Sequence, residues 1–234
     1  MTRNLRSPLF GLNMLRKLFV CPWFGPLPPW FDRYLEHIEK LKPLGYDWLI
    51  TTDLDDFSKR VKDRLGLDCP IVPGTGKLHD YRASLGVLYE EEIRGYDYWG
   101  HTDFDCCYGR IDQFMPDEKL SAWDIWSNHV DYICGPWTLY KTTPFLAELF
   151  TRYDRWREIL SDPTGTGWVE FQDGFTGVVD AAHDAHELQR LYTFWQTKNL
   201  DDFSSLRLDG DVLYENDQEV MMAHFRRRKI WPLC

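Results

Sequence analysis

Residues 95–109 read GYDYWGHTDFDCCYG, and two carboxylates two positions apart, Asp103 and Asp105, end an otherwise apolar run. In an extended chain alternate side chains share a face, so both acids point one way and Phe104 the other. Two hard oxygen donors at one spot suit Mg2+ or Mn2+, whose remaining ligands come from phosphate oxygens and water. The same spacing also arises by chance in an acidic chain. Asp53-Leu54-Asp55 is a second instance, and it reads chiefly as the cap of the helix that follows. What sets 103–105 apart is its place at the end of a strand in the middle of a sheet.

Three further groups can do chemistry. In VMMAHF (220–225) His224 ends an apolar run and Arg226, Arg227, Arg228 and Lys229 follow it. That is a borderline metal ligand beside a phosphate-binding patch, or a core histidine before a basic tail. The turn Pro73-Gly74-Thr75-Gly76 opens GKLHDYRASLG. Free N–H groups at such a helix start meet anions, and Lys77 and Arg82 add charge, although Lys77 also reads as a solvated first turn. In WVEFQDGFTG, Glu170 and Asp173 follow a Gly-rich loop able to move. Either carboxylate can take a proton from a hydroxyl nucleophile, and either can be plain surface charge at a turn. His101 carries no assignment.

The elements that must position these residues alternate. LRKLFVCPWFG gives a strand at 17–21 and a rigid turn, and PPWFDRYLEHIEKLKP spaces Trp30, Tyr34, Leu35, Ile38 and Leu41 at helical intervals between Pro29 and Pro43. A strand at 46–53, a helix at 55–66 closing on Gly66, a strand at CPIV (69–72) and a helix over 78–94 lead into the strand that ends in the acids. This alternation predicts an α/β domain with a parallel sheet under helices, whose ligands lie beyond the carboxyl ends of the strands. Those ends are Phe24-Gly25, Thr52-Asp53 and Thr102-Asp103-Phe104-Asp105. Further on, AWDIWSN and YICGPWTLYK read as strands and 143–160 as a helix capped by Thr143-Pro144. A helix lies within 173–192, and DVLYEND and VMMAHF are late strands.

Bulk properties narrow the function classes. The chain has 234 residues, 44% of them hydrophobic, and 11 Trp, enough for a core and incompatible with disorder. A net charge of −10 argues against a general nucleic-acid binder, yet a local basic pocket can still take a small anion. Cys21, Cys69, Cys106, Cys107, Cys134 and Cys234 show no CxxC spacing and read as reduced thiols of an intracellular protein. The apolar stretch 18–31 is broken by Pro22, Pro26, Pro28 and Pro29, so it does not supply the ~20 uninterrupted apolar residues of a membrane span. Residues 1–16 form an arm with Arg3, Arg6 and Arg16 among leucines, which leaves peripheral membrane contact open. The expected location is cytoplasmic and soluble.

Taken together, TDFD at a strand end, the KLHDYRASLG helix before it and a downstream HF with basic residues and Trp231 resemble the metal-dependent GT-A glycosyltransferases. The order is especially similar to a family of small bacterial, fungal and algal-virus glycosyltransferase-like proteins. The matching blocks are Phe24 to Pro28, Asp47-Trp48 through Asp53, Lys77 to Arg82, Gly95 to Gly109 and Gly135 to Lys141. The WGH-x-D-x-D-x-x-YG block is the specific part.

The resemblance implies a GT-A-like single domain over 17–234, with a mixed, mostly parallel central sheet flanked by helices. It splits into a nucleotide-binding half (17–109) and an acceptor-binding half (110–234). The implied activity is transfer of a hexosyl or deoxyhexosyl group from a nucleotide sugar, typically a UDP-sugar, to a glycan hydroxyl. Mn2+ or Mg2+ would be held by Asp103, Asp105 and His224, the last matching the C-terminal histidine of glycogenin-like enzymes. Those enzymes follow that histidine with Gly and Lys-Pro-Trp, whereas here Phe225 and Arg226 to Ile230 precede Trp231. Donor contacts would come from Pro22, Trp23, Phe24, Gly25, Asp53, Lys77, Arg82, Asp103 and Lys229. Aromatic faces of Trp137, Tyr140 and Trp168 would take the acceptor sugar. Asp173 is the expected base of an inverting enzyme and Glu170 its alternative. A sugar nucleotidyltransferase would share the acidic site, but it wants basic residues in a Gly-rich loop after the first strand, which PWFGPLPPWF lacks. An inactive nucleotide-sugar-binding module would keep the pocket without turnover.

Overall fold

The computed structural model describes residues 14–196 and 205–225. Six strands form the central sheet: β1 (Lys17–Pro22), β2 (Tyr46–Thr51), β3 (Tyr98–Thr102), β5 (Ile125–Ser127), β6 (Trp137–Lys141) and β7 (Arg190–Tyr192). Between β3 and β5 lies a short strand outside this sheet, β4 (Cys106–Tyr108). The order is β2-β1-β3-β6-β5-β7, with β6 antiparallel to both neighbours and the other pairings parallel. This is the mixed, mostly parallel sheet flanked by helices that the resemblance implies; the alternation alone predicts the parallel part, and β6 departs from it.

Strand periodicity divides the core. Leu18 and Val20 of β1 join Trp99 and Tyr140 on one face, under helices 54–60, 85–88 and 175–184. Phe19 and Cys21 join Tyr98, Trp137 and Leu139 on the other, where helix Phe31–Glu39 inserts Tyr34 and Ile38. A strand covered on both sides needs an unbroken apolar run, and LFVCP, after Lys17, is one. Cys21, Cys69, Cys106, Cys107 and Cys134 are unbridged thiols.

Three expected elements come out differently. Cys69–Val72 forms no strand. Pro70 offers no N–H to a ladder, and Ile71 buries its side chain in the first core without one. The helix expected over 78–94 is a 3-10 turn over Gly76–Ser84 followed by short helices at 85–88 and 90–93. In a 3-10 turn residues three apart eclipse, which stacks Lys77 against Asp80 with Nζ and Oδ2 3.1 Å apart. The helix from Thr143 breaks into 144–148, a 3-10 turn at 149–152, and 156–161, although Thr143 does cap it by accepting from the Leu146 N–H.

The Gly-rich loop before Glu170 is pinned, not free. The Asp80 carboxylate accepts from the backbone N–H of Thr166 and of Gly167 (2.7 Å), and Trp168 Nε1 donates to the Asp80 carbonyl at 2.9 Å.

After β7 come β8 (Leu206–Asp209), β9 (Val212–Glu215) and β10 (Gln218–Val220), an antiparallel sheet, and then β11 (Met222–His224). β11 pairs antiparallel with β4, Met222 opposite Tyr108 and His224 opposite Cys106. No helix of the described residues is long and apolar enough to cross a membrane.

Candidate active site

β3 ends at Thr102, and the chain turns through Asp103-Phe104-Asp105 into β4. Phe104 fixes the turn. Its ring packs on Trp23, Phe31 and Tyr34 at centroid distances of 5.5, 5.2 and 5.2 Å, and its carbonyl accepts from Trp30 Nε1 at 3.0 Å. With the aromatic residue committed to the second core, the flanking acids stand on the cavity side.

The β4–β11 ladder brings the third member. Phe225 N–H donates to the Asp105 carbonyl at 2.8 Å, and His224 Nε2 lies 3.4 Å from Asp105 Oδ1 and 3.7 Å from Asp103 Oδ2. One donor atom from each of Asp103, Asp105 and His224 falls within 4.8 Å of the others. Two hard carboxylates and one imidazole are a donor set that fits Mn2+ or Mg2+.

Arg82 ties this group to the opposite wall. Nη2 bonds Asp103 Oδ1, and Nη1 lies 3.7 Å from Glu170 Oε1. That same oxygen accepts from the Gly135 N–H at 3.2 Å. Behind Gly135, His101 Nδ1 sits 3.0 Å from the Gly135 carbonyl and Nε2 sits 3.4 Å from the Tyr140 hydroxyl. A carbonyl only accepts, so Nδ1 carries the proton. Burial, reinforced by the nearby Arg82, pushes the His101 pKa down to about 3, which keeps the ring neutral.

Arg82, His101, Asp103, Asp105, Glu170 and His224 line a cavity of about 1030 Å3. The β1 tip contributes Pro22, Trp23 and Phe24, the segment after it Pro26 to Trp30, and Val72, Leu78 and His79 close another side. Among the described lining residues three carboxylates, Asp103, Asp105 and Glu170, face one guanidinium, Arg82. Such a cavity attracts a divalent cation, and it repels a bare diphosphate.

Several expected site residues stand elsewhere. Gly25 belongs to the β1 turn (φ 143°) but does not line the cavity. Asp53 is exposed and caps helix 54–60, its Oδ1 accepting from Asp56 N–H at 2.9 Å. Lys77 has no exposure at all. It is sealed against Asp80 and the Ile159 carbonyl and does not line the cavity. Trp137 and Tyr140 are 0% exposed and Trp168 is 2% exposed, so none has a face to offer an acceptor. β6 is buried on both faces, Trp168 is turned inward from a largely exposed loop, and all three rings are core. Asp173 is exposed and outside the cavity wall, so Glu170 is the carboxylate that reaches it. Lys229, with Arg226 to Arg228, lies outside the described residues. His101, Gly135 and Asp80 were not singled out for a role by sequence reasoning. Only the WGH and G-x-W blocks around the first two, and the K-x-x-D spacing around the third, marked their neighbourhoods.

The fold is shared with the crystal structure of a glycosyltransferase involved in the glycosylation of the major capsid of PBCV-1. The TM-score is 0.53 at 11% sequence identity, over 92% of this chain and 95% of that one. No curated protein matches the sequence. Residues 19–231 match DUF6625, a family of unknown function, and the chain belongs to that family.

Proposed function

We propose that the chain is a metal-dependent glycosyltransferase that moves a sugar from a nucleoside diphosphate sugar, a UDP-sugar in the first instance, to a hydroxyl of a glycan. The observation that carries this reading is the convergence of Asp103, Asp105 and His224 at the carboxyl end of β3, inside a large cavity. The shared fold with a glycosyltransferase supports it.

Asp103, Asp105 and His224 would hold Mn2+ or Mg2+. When bound, such an ion neutralises the diphosphate and stabilises the charge it gains as a leaving group. The chain's own residues do the rest. Pro22, Trp23 and Phe24 at the β1 tip offer an apolar wall to the nucleoside. Arg82 lies preorganised between Asp103 and Glu170, a fixed positive charge where negative charge develops. Glu170 takes the acceptor proton if transfer inverts the anomeric centre, and a retaining reaction needs no such base.

A panel of UDP-, GDP- and dTDP-sugars in thermal shift, with and without Mn2+, followed by measurement of released nucleotide, tests the proposal. A cation-dependent rise in melting temperature with one sugar nucleotide, and release of its diphosphate, is expected. Asp105→Ala should abolish that release with the fold retained, and full turnover in this variant would sink the assignment. Consumption of a nucleoside triphosphate with a sugar phosphate would point to nucleotidyl transfer, and binding without release to a dead module.

A further inference from the structure

Glu170 is held by a backbone, and the residue that holds it has no side chain. The Gly135 N–H donates to Glu170 Oε1 at 3.2 Å, and the Gly135 carbonyl is fixed by His101 Nδ1 at 3.0 Å. The next residue is fixed as well: the Pro136 carbonyl accepts from Thr102 Oγ1 at 2.6 Å. The peptide at 135 is thus clamped on both sides by β3 residues that adjoin the acid pair. A Cβ added to Gly135 would overlap the Arg82 guanidinium and lie 2.5 Å from Glu170 Oε1. Nothing about the backbone conformation demands glycine here, because Gly135 is not among the positive-φ residues. The demand is for space.

We propose that Gly135 is the positioning residue of this cavity: its N–H fixes Glu170 Oε1, and its missing side chain admits Arg82 between Glu170 and Asp103. Both anchoring contacts, from Gly135 N–H and from Arg82, fall on Oε1. Oε2 takes neither and is the oxygen turned over to a substrate hydroxyl. His101 acts one step behind, as a neutral ring that holds the peptide in register. The assignment of a hydroxyl to Oε2 rests on the glycosyl-transfer reading, whereas the packing role of Gly135 does not.

Two measurements separate these. The first is a thermal stability cycle with Gly135→Ala, Arg82→Ala/Glu170→Ala and the triple variant. Overpacking against Arg82 and Glu170 should lower the melting temperature of Gly135→Ala by roughly 5 °C. In the Arg82→Ala/Glu170→Ala background the same alanine should cost almost nothing, because the atoms it strikes are gone. An equal loss in both backgrounds, or none in either, overturns the proposal. The second is turnover of the donor found by the panel. Gly135→Ala should reduce kcat on the order of 100-fold with the donor KM changed little, the signature of a displaced reacting group. A loss confined to KM overturns the positioning role. A wild-type protein with no turnover refutes the glycosyl-transfer reading, and the stability cycle then decides on Gly135 alone.

Discussion

Lys77 and Arg82 sit on the same 3-10 turn, each paired with a carboxylate, and their surroundings differ completely. Lys77 is 0% exposed, as is its partner Asp80, and the pair is walled in by the loop that Asp80 pins. Arg82 pairs with Asp103 and approaches Glu170, and all three line the cavity. Identical chemistry, a cation beside an acid, serves as a structural rivet in one place and as a poised charge in the other. What decides is access: an ion pair sealed from water has no further partner to meet, whereas one at a cavity wall can exchange its carboxylate for a ligand.

That contrast predicts opposite consequences of truncation. Asp80→Ala leaves a buried ammonium without its carboxylate and two loop N–H groups without their acceptor. A loss of roughly 3–5 kcal/mol is expected, read as a shift in the urea midpoint. A stability change below 1 kcal/mol on the scale of surface pairs would break the comparison. Arg82→Ala should do the reverse. Stability should fall by less than in Asp80→Ala, because the carboxylates left behind, Asp103 and Glu170, are 23% and 40% exposed at the cavity wall, while turnover of the donor falls on the order of 100- to 1000-fold. Equal activity in Arg82→Ala and wild type would place Arg82 with Lys77 as structure.

Acid probes the Arg82 side through the histidine behind it. Burial pushes His101 down to about 3 and His37, whose Nε2 accepts from the Tyr108 N–H, down to about 4, against an ordinary value of 6.5. A folded pKa below the unfolded one means that the unfolded chain binds protons the native state refuses. Their contribution is therefore complete above pH 6.5 and is lost as pH falls toward 4 and then 3. The expected slope is about 1.4 kcal/mol per pH unit for each histidine inside that window. Urea midpoints at pH 7 and pH 5 should show a shallower fall in His101→Gln than in wild type. Identical slopes would remove His101 from the account.

How much of this the sequence disclosed depends on whether local pattern or long-range contact decides. The buried runs of β1 and β3, the half-buried β2 and the caps at Asp53 and Thr143 follow from neighbours a few residues away, and they were legible. So were the acids at the end of β3 and the histidine that joins them, because apolar runs delivered each to a strand end. The aromatic acceptor platform failed for a physical reason. Trp137 and Tyr140 lie on opposite faces of β6, and composition cannot say that both faces of that strand are covered. The choice between Glu170 and Asp173 turns on which carboxylate lines the cavity, a long-range placement that no spacing encodes. Cys69–Val72 reads as a strand by its side chains and fails as one at Pro70, where the missing donor outweighs the apolar character.

β11 is the last of the described strands to be made. A chain still under synthesis carries Asp103 and Asp105 long before it carries residue 224, and β4 waits without a partner until then. The three-donor group is thus completed by the final pairing, when Phe225 N–H meets the Asp105 carbonyl and His224 comes to rest beside both acids. A nascent chain, or one clipped ahead of β11, keeps the acids and lacks the imidazole, so the three-donor group exists only once β11 has paired with β4.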